Sequence, residues 1–179
     1  MQSKDLKSLL VKLNNYLIRN LDTATGLGIN RSHYEISFDH LLNCLIEDGA
    51  GDVQVRVLKN LEEMGKGNSG KPKLSPLLTE LLEQAWITSS VHHHETKIRS
   101  GALFEVFIAS EQVISSKLMN IFSPIKQEEL KTEFYNIVKG SVEDASVASE
   151  MISADEAKEI PADGTVLDLF TANLTAQAK

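Results

Sequence analysis

The sequence predicts an all-α fold, a pseudo-duplicated helical bundle of two related multi-helix repeats followed by a flexible linker. Three observations predict it. Apolar residues recur every three or four positions through most of residues 1–140, which is the period of an amphipathic helix. No segment shows the sustained apolar–polar alternation of a half-buried strand. The apolar spacing of the first half of this region recurs in the second half, which indicates a duplication.

The first predicted helix spans 6–29, where leucines at spacings of three and four form one apolar stripe. Gly26 and Gly28 are expected to loosen its end, because glycine is a poor helix former. A shorter and very apolar helix follows Ser37, whose hydroxyl suits the N-cap position.

Glycines, prolines and polar residues separate the remaining predicted helices. The segment 65–72 has the composition of a loop. Ser75 and Pro76 then open a helix, with serine as the cap and proline at the first helical position, where its missing N–H costs nothing. The other predicted helices span 53–64, an apolar run that opens at Ser100, 113–122 and 127–138.

An internal repeat is the most informative pattern in the chain. Each half contains a long helix, a polar connection with one isoleucine, and a shorter apolar helix. Because any two helix pairs share some spacing, chance resemblance stays an alternative. Leu17, Leu21, Asp22 and Ala24 match Leu78, Leu82, Glu83 and Ala85 at an offset of 61, and Ile36, Leu41, Leu42 and Ile46 match Ile98, Leu103, Phe104 and Ile108 at an offset of 62.

Charge divides the chain into a nearly neutral body and an acidic segment. Residues 1–140 contain 16 Lys and Arg against 17 Asp and Glu, whereas residues 141–164 contain one Lys against seven acids. The body therefore has no basic face, which argues against a nucleic-acid partner. We expect a helical domain over 1–140, with repeats at about 6–64 and 74–138, then a disordered linker over 141–164. Residues 165–179 read as the lead-in to a further domain.

Neither a signal peptide nor a membrane span is visible, and the single cysteine, Cys44, cannot form an intrachain disulfide. These features favour a cytoplasmic protein.

Three motifs suggest chemistry, and each has a simpler interpretation. Residues 65–71 match the first seven positions of a phosphate-binding loop, but Pro72 replaces the Ser or Thr that would hold magnesium, so we interpret the segment as an ordinary loop. The consecutive histidines 92–94 cannot converge on one metal from a helix, because neighbours point about 100° apart. Cys44 and His40 could form a catalytic dyad, and His33 could separately act as a base. We expect Cys44 to be buried, however, and a buried thiol stays neutral and inert. We therefore predict no catalytic site and no metal.

The first helix is apolar around more than one face, because residues 9–11 and 16–18 are almost all apolar. Such a helix either feeds the core or lines a groove for a partner helix, and the sequence leaves both interpretations open. The candidate lining residues of such a groove are Leu9, Leu13, Tyr16, Leu17, Leu81, Ala85 and Trp86.

Several short motifs together resemble the Clp amino-terminal repeat, in the form found in ClpV (TssH), the AAA+ ATPase of type VI secretion. The resemblance extends over nearly the whole chain. The motifs that carry it are Leu13-Asn14, Ala24-Thr25-Gly26-Leu27, the run 30–37, His40-Leu41-Leu42, Gly67-Asn68-Ser69, Leu74-Ser75-Pro76, the run 82–86, Ile98-Arg99-Ser100-Gly101 and the run 167–175.

This resemblance implies a substrate-recognition domain. In ClpV such a domain is expected to capture an amino-terminal helix of the sheath protein VipB, so that the ATPase can disassemble contracted VipA–VipB (TssB–TssC) sheath. The resemblance places ATP and magnesium in ATPase domains and implies a hexamer of the full-length protein, whereas this domain alone is expected to be a monomer without cofactor. A general-chaperone or protease-type domain, as in ClpA, ClpC or ClpB, is the alternative. The segment 53–66 is shorter than the family pattern, which puts the packing of the first repeat in question.

Overall fold

A computed structural model describes residues 3–46, 51–110 and 121–144. Its described part is built mainly of α-helices, as predicted. Their bounds are α1 Ser3–Leu10, α2 Asn15–Asn30, α3 Phe38–Leu45, α4 Asp52–Glu63, α5 Pro76–Ile87, α6 Ser100–Ala109, α7 Gln127–Thr132 and α8 Phe134–Val138, with a π-helical turn over Thr88–His92.

Two short backbone pairings join the repeats and make the duplication visible. Strand β1, Glu35–Ile36, pairs in parallel with β2, Lys73–Leu74, and Ile36 lies opposite Leu74. A parallel bridge joins Leu13 to Ile98 in the same way. These two pairs are equivalent under the offsets of 61 and 62 found in the sequence. The isoleucine of each connection therefore pairs with the leucine that precedes the long helix of the other repeat.

The predicted helix over 6–29 is two helices, and the prediction of one continuous helix is wrong. The chain leaves the α-helical conformation after Leu10, and Asn14 is extended, with φ −76° and ψ 167°. The side-chain oxygen of Asn14 accepts a hydrogen bond from the Leu17 amide, at 2.9 Å, and so caps α2. Asparagine competes with the helix backbone in this way, and the apolar stripe conceals the break because it continues across it.

The prediction that Gly26 and Gly28 loosen the end of this helix is also wrong, since α2 continues to Asn30. Gly28 is a close-packing position. A Cβ atom there would lie 2.2 Å from Cδ1 of Ile36 and 3.5 Å from Nε2 of His40. The missing side chain lets the connection before α3 lie directly against α2.

The predicted helix starts at Ser37, Ser75–Pro76 and Ser100 agree with the structure. The predicted helix over 127–138 is instead α7 and α8, separated at Glu133. Most of the predicted helix over 113–122 lies outside the described residues.

One apolar core connects the two repeats. Leu17, Leu21, Leu78 and Leu82 from the long helices are almost completely buried. At the centre, Phe38 of α3 stacks on Phe107 of α6, with ring centroids 4.3 Å apart. The two equivalent apolar helices of the repeats therefore face each other.

The chain after α7 returns across the body, and we call residues 134–144 the strap. Phe134, Val138 and Glu143 of the strap are buried. The segment predicted as linker, 141–164, therefore begins with residues that pack on the helical body. Residues 145–164 and the predicted lead-in 165–179 lie outside the described residues, so the division of the chain after residue 144 stays a prediction.

Among the described residues, no helix is both long enough and apolar enough to cross a membrane.

Candidate functional site

An apolar cavity of about 420 Å³ lies between the facing helices of the two repeats and the strap. We call it the inter-repeat cavity. This volume lies within the range of sites that bind small molecules or anchor side chains. Its lining residues are Tyr16 from α2; Phe38, Leu42, Leu45 and Ile46 at α3; Val53 from α4; Ser100, Gly101, Leu103 and Phe104 from α6; Phe122; and Ile137, Val138, Ser141, Val142 and Glu143 from the strap.

The strap side of the cavity exposes apolar side chains to solvent. Ile137 is 55% exposed and Val142 is 68% exposed, although both line the cavity. Leu45 and Phe104 on the opposite walls are only partly buried. A cavity with an exposed apolar rim gains free energy when an apolar partner covers it, at about 25 cal/mol per Å² removed from water.

A buried carboxylate forms the polar edge of the cavity. Oε1 of Glu143 accepts hydrogen bonds from Nδ2 of Asn14, at 2.6 Å, and from the Ser100 amide, at 2.8 Å. Its Oε2 accepts one from the Ser100 hydroxyl, at 2.5 Å. Glu143 is 3% exposed, and the three donors offset the cost of burying its charge. One strap residue thus joins the cap of α2 to the start of α6.

An ion pair lies next to this carboxylate. Nη2 of Arg99 is 3.2 Å from Oδ1 of Asp144, and Nη1 is 3.6 Å from Oε1 of Glu95. The Gly140 amide and the Arg99 guanidinium, both donating to Asp144, lower the pKa of that carboxyl below its usual value. The end of the strap is therefore held by charged as well as apolar contacts.

Two histidines form a buried pair beneath α3, away from the cavity. Nδ1 of His33 lies 2.8 Å from Nε2 of His40, and both rings are fully buried. Nδ1 of His40 accepts from the Ser37 amide, at 3.1 Å. Burial, the neighbouring His33 and the charge of Arg31 lower the pKa of His40 to about 4. Burial lowers the pKa of His33 as well. Both rings are neutral at pH 7, and their contacts anchor the start of α3.

The three consecutive histidines do not converge. His93 is buried and its Nε2 lies 2.8 Å from Oε2 of Glu105, whereas His92 and His94 are exposed. The π-helical turn sets this arrangement, since the His93 amide donates to the Thr88 carbonyl five residues earlier. Within the described ranges, no three histidine, cysteine or acidic side chains lie close enough together to hold a metal ion.

Two amides of the loop over 65–72 are engaged by the first repeat. The amides of Gly67 and Asn68 both donate to the Ser32 carbonyl, and the Asn68 side chain donates to the His33 carbonyl. Amides used in this way cannot form a phosphate cradle. The loop therefore binds through hydrogen bonds to the connection that precedes α3.

The dyad of Cys44 with His40, which the sequence allows but does not favour, does not form in this structure. Both ring nitrogens of His40 are engaged by His33 and by Ser37. Cys44 is partly buried, and burial raises the pKa of its thiol. A thiol with a raised pKa is a weak nucleophile at neutral pH.

The structure places the seven sequence-predicted groove residues at three locations. Tyr16 lines the inter-repeat cavity. Trp86 is half-buried elsewhere, with Nζ of Lys12 4.6 Å from its ring centroid. The other five are buried in the core and present little surface to a partner in this conformation; they are Leu9, Leu13, Leu17, Leu81 and Ala85. Helical periodicity alone could not distinguish a core stripe from a groove stripe.

Sequence reasoning missed the walls supplied by α3, α6 and the strap. One signal was present, because α6 is apolar on nearly all sides, with Phe104 and Ile108 in addition to its buried face. A helix that is apolar all round has more than one apolar neighbour. The strap wall had no such signal, since Val142 lies among polar residues along the chain and Ile137 falls within the predicted helix over 127–138.

Comparison with solved structures finds similar proteins of one kind. A ClpV N-domain in complex with a VipB peptide is 31% identical over 77% of this chain and 94% of that chain, with a TM-score of 0.69. The ClpV N-domain from Vibrio cholerae is 31% identical over 77% of this chain and 92% of that chain, with a TM-score of 0.68. The N-terminal domain of a ClpV ATPase from E. coli is 27% identical over 78% and 94%, also with a TM-score of 0.68. No protein-family profile and no curated protein sequence matches the chain.

Proposed function

The chain belongs to the family of ClpV N-terminal domains of type VI secretion systems, and we propose that it binds an amphipathic helix of a sheath subunit in the inter-repeat cavity. The observation that carries the proposal is the open apolar rim. Ile137 and Val142 line the cavity and yet remain more than half exposed. A solved relative was obtained as a complex of a ClpV N-domain with a VipB peptide, which supports a sheath peptide as the ligand.

A helix suits this site better than an extended peptide. The strands β1 and β2 are two residues long each, so they offer little edge for a peptide that adds as a further strand. The cavity walls are instead helices with apolar side chains, and an amphipathic helix can insert its i, i+3 and i+4 side chains between them.

In this proposal the domain selects the substrate and performs no chemistry. Binding of VipB would bring contracted VipA–VipB sheath to the ATPase domains that the family resemblance implies. ATP and magnesium would act in those domains, and the inter-repeat cavity needs no cofactor. The full-length protein would gain from a tethered binding domain, because tethering raises the local concentration of substrate at the ATPase.

A matched pair of variants tests the location of the site. Val142→Asp changes a cavity-lining valine that is 68% exposed, and Val55→Asp changes a valine on α4 that is 66% exposed and outside the lining set. Both substitutions place a charge at similarly exposed positions. Circular dichroism and thermal melting establish that each variant is folded. Titration calorimetry with a synthetic VipB amino-terminal helix measures the affinity of each.

We expect Val142→Asp to weaken binding at least tenfold. Covering a valine is worth about 1.5 kcal/mol or more, and each 1.4 kcal/mol is a factor of ten in Kd. Val55→Asp should bind like the unmodified protein. Equal affinities of the two variants would place the peptide elsewhere, and no heat of binding at high peptide concentration would contradict the proposed function.

A further inference from the structure

The strap is attached to the body at two separate anchors. The first anchor lies at its beginning, outside the inter-repeat cavity. Phe134 stacks on His93, with ring centroids 3.7 Å apart, and the Tyr135 hydroxyl donates to the His93 carbonyl. A Cβ atom on Gly101 would lie 2.9 Å from the Phe134 ring, so the absence of that side chain makes room for the strap.

The second anchor is Glu143, which supplies a hydrogen-bond acceptor at the start of α6. In the first repeat, the Ser37 amide at the start of α3 donates to the side chain of His40. The equivalent position in α6 is Ala102, which cannot accept a hydrogen bond. Glu143 accepts from the amide of Ser100, which is one residue after Arg99, the equivalent of Ser37. A buried negative charge at this end also complements the dipole of α6.

Between the anchors, Val138 packs against Gly101 and Ala102 of α6, and the rest of this segment is held mainly by its own hydrogen bonds. The amides of Ile137, Lys139 and Ser141 donate to carbonyls within 133–138. Ile137 and Val142 line the cavity but do not fill it, because 55% and 68% of their respective surfaces remain exposed to solvent. A strap that acted as a plug would have buried these side chains in the cavity. The strap is therefore a wall of the cavity.

We propose that the strap is a ligand-responsive wall, with Glu143 as the positioning residue: a helix that docks in the inter-repeat cavity holds the strap on the body, and release of the strap weakens docking. This inference rests on the proposed function and adds a coupling to it. Because the chain continues from the strap into residue 145 and beyond, a docked peptide would fix the point at which that continuation leaves the domain.

The size of the coupling follows from the fraction of molecules in which the strap is attached. If only the attached state offers the complete cavity, the apparent Kd equals the intrinsic Kd divided by that fraction. A variant that lowers the attached fraction to about one tenth would raise the apparent Kd about tenfold. Saturating peptide would restore the attachment, because binding and attachment are reciprocal.

Four variants test the proposal by peptide titration and by amide hydrogen exchange. Glu143→Ala removes the second anchor, and Glu143→Gln keeps an oxygen that can accept from the Ser100 amide. Phe134→Ala loosens the first anchor at a residue that does not line the cavity. Asn136→Ala is the control, since Asn136 is an exposed strap residue outside the lining set, and its side chain donates to the exposed Glu133. Circular dichroism and thermal melting confirm that each variant is folded.

We expect Glu143→Ala and Phe134→Ala each to weaken peptide binding about tenfold, Glu143→Gln to lose less than threefold, and Asn136→Ala to change little. Without peptide, the amides of Ile137, Lys139 and Ser141 should exchange faster in the two alanine variants, and saturating peptide should slow them again. If Glu143 only stabilised the fold, Glu143→Ala would lower the melting temperature, but added peptide would not slow the exchange of the strap amides.

Three results would overturn the proposal. Tighter binding by Glu143→Ala, with faster exchange of the strap when peptide is added, would show that the strap is a cover displaced by the ligand. Unchanged binding in the folded alanine variants would show that the strap is no part of the site, while leaving the proposed function intact. Absence of peptide binding by the unmodified protein would overturn the proposed function and the strap proposal together.

Discussion

The buried histidine pair predicts a loss of stability in mild acid. In the folded protein the pKa of His40 is lowered to about 4, first by burial and then by His33 and the charge of Arg31, whereas the ordinary value is 6.5. Between pH 6.5 and pH 4 the unfolded chain therefore binds more protons at this site than the folded chain does. The free energy of unfolding falls as the pH falls through this window, and the contribution levels off below pH 4.

The magnitude follows from the two pKa values. One pKa unit corresponds to about 1.4 kcal/mol, so the full loss from His40 is about 3 kcal/mol. About 2 kcal/mol of it is lost between pH 7 and pH 5. Protonation is costly here because Nε2 of His40 and Nδ1 of His33 are 2.8 Å apart, which allows one shared proton but opposes two. The lowered pKa of His33 acts in the same direction.

Urea denaturation followed by circular dichroism at pH 5, 6 and 7 measures this loss. His40→Asn removes the titrating ring and leaves an oxygen near the position of Nδ1, which can still accept from the Ser37 amide. This variant is expected to be less stable at pH 7, but its stability should fall by about 2 kcal/mol less between pH 7 and pH 5. His92→Asn, at an exposed histidine, is the control and should behave like the unmodified protein. Parallel dependences of stability on pH for His40→Asn and the unmodified protein would show that His40 does not cause the loss of stability in acid.

Two further predictions concern packing and reactivity. Gly28→Ala should destabilise the fold by about 1–3 kcal/mol in urea denaturation, because the new Cβ would lie 2.2 Å from Ile36. Gly26→Ala, in the same helix with nothing within 4 Å, should instead stabilise it by up to about 1 kcal/mol, and equal effects would contradict the packing described for α2. Cys44 should react with a thiol reagent at pH 7.5 more slowly than a free cysteine does, since burial raises the pKa of its thiol. Fast labelling of the folded protein would reopen a catalytic interpretation of this residue.

The repeat and most helix starts could be predicted from the sequence because they depend on local chemistry. Ser75 and Pro76 cap and open α5 through contacts within four residues. The pairing of Ile36 with Leu74 and of Leu13 with Ile98 then follows the offsets that the repeat itself displays. A duplicated pattern therefore indicates long-range contacts, because equivalent positions in the two repeats make equivalent contacts.

The break at Asn14 and the location of the cavity depend on contacts that periodicity does not encode. Asn14 interrupts an apolar stripe that continues on both sides, and its partner Glu143 lies 129 residues away. The same separation conceals the strap wall, whose apolar residues meet α3 and α6 only in the folded chain. Of the groove residues predicted from apolar excess, Tyr16 lies at the cavity because its position on α2 faces α3, while Leu17 beside it faces the core.

Binding of a sheath helix in the inter-repeat cavity is tested by a map of amide chemical shifts during titration of the ¹⁵N-labelled domain with the VipB helix. The inter-repeat cavity predicts the largest changes at Leu42, Leu45, Ser100 and Val142, which lie on three different walls. Changes confined to the neighbourhood of Trp86 and α1 would move the binding site to the other surface that the sequence suggested. A spectrum unchanged by saturating peptide would contradict the binding of a sheath-subunit helix by this domain.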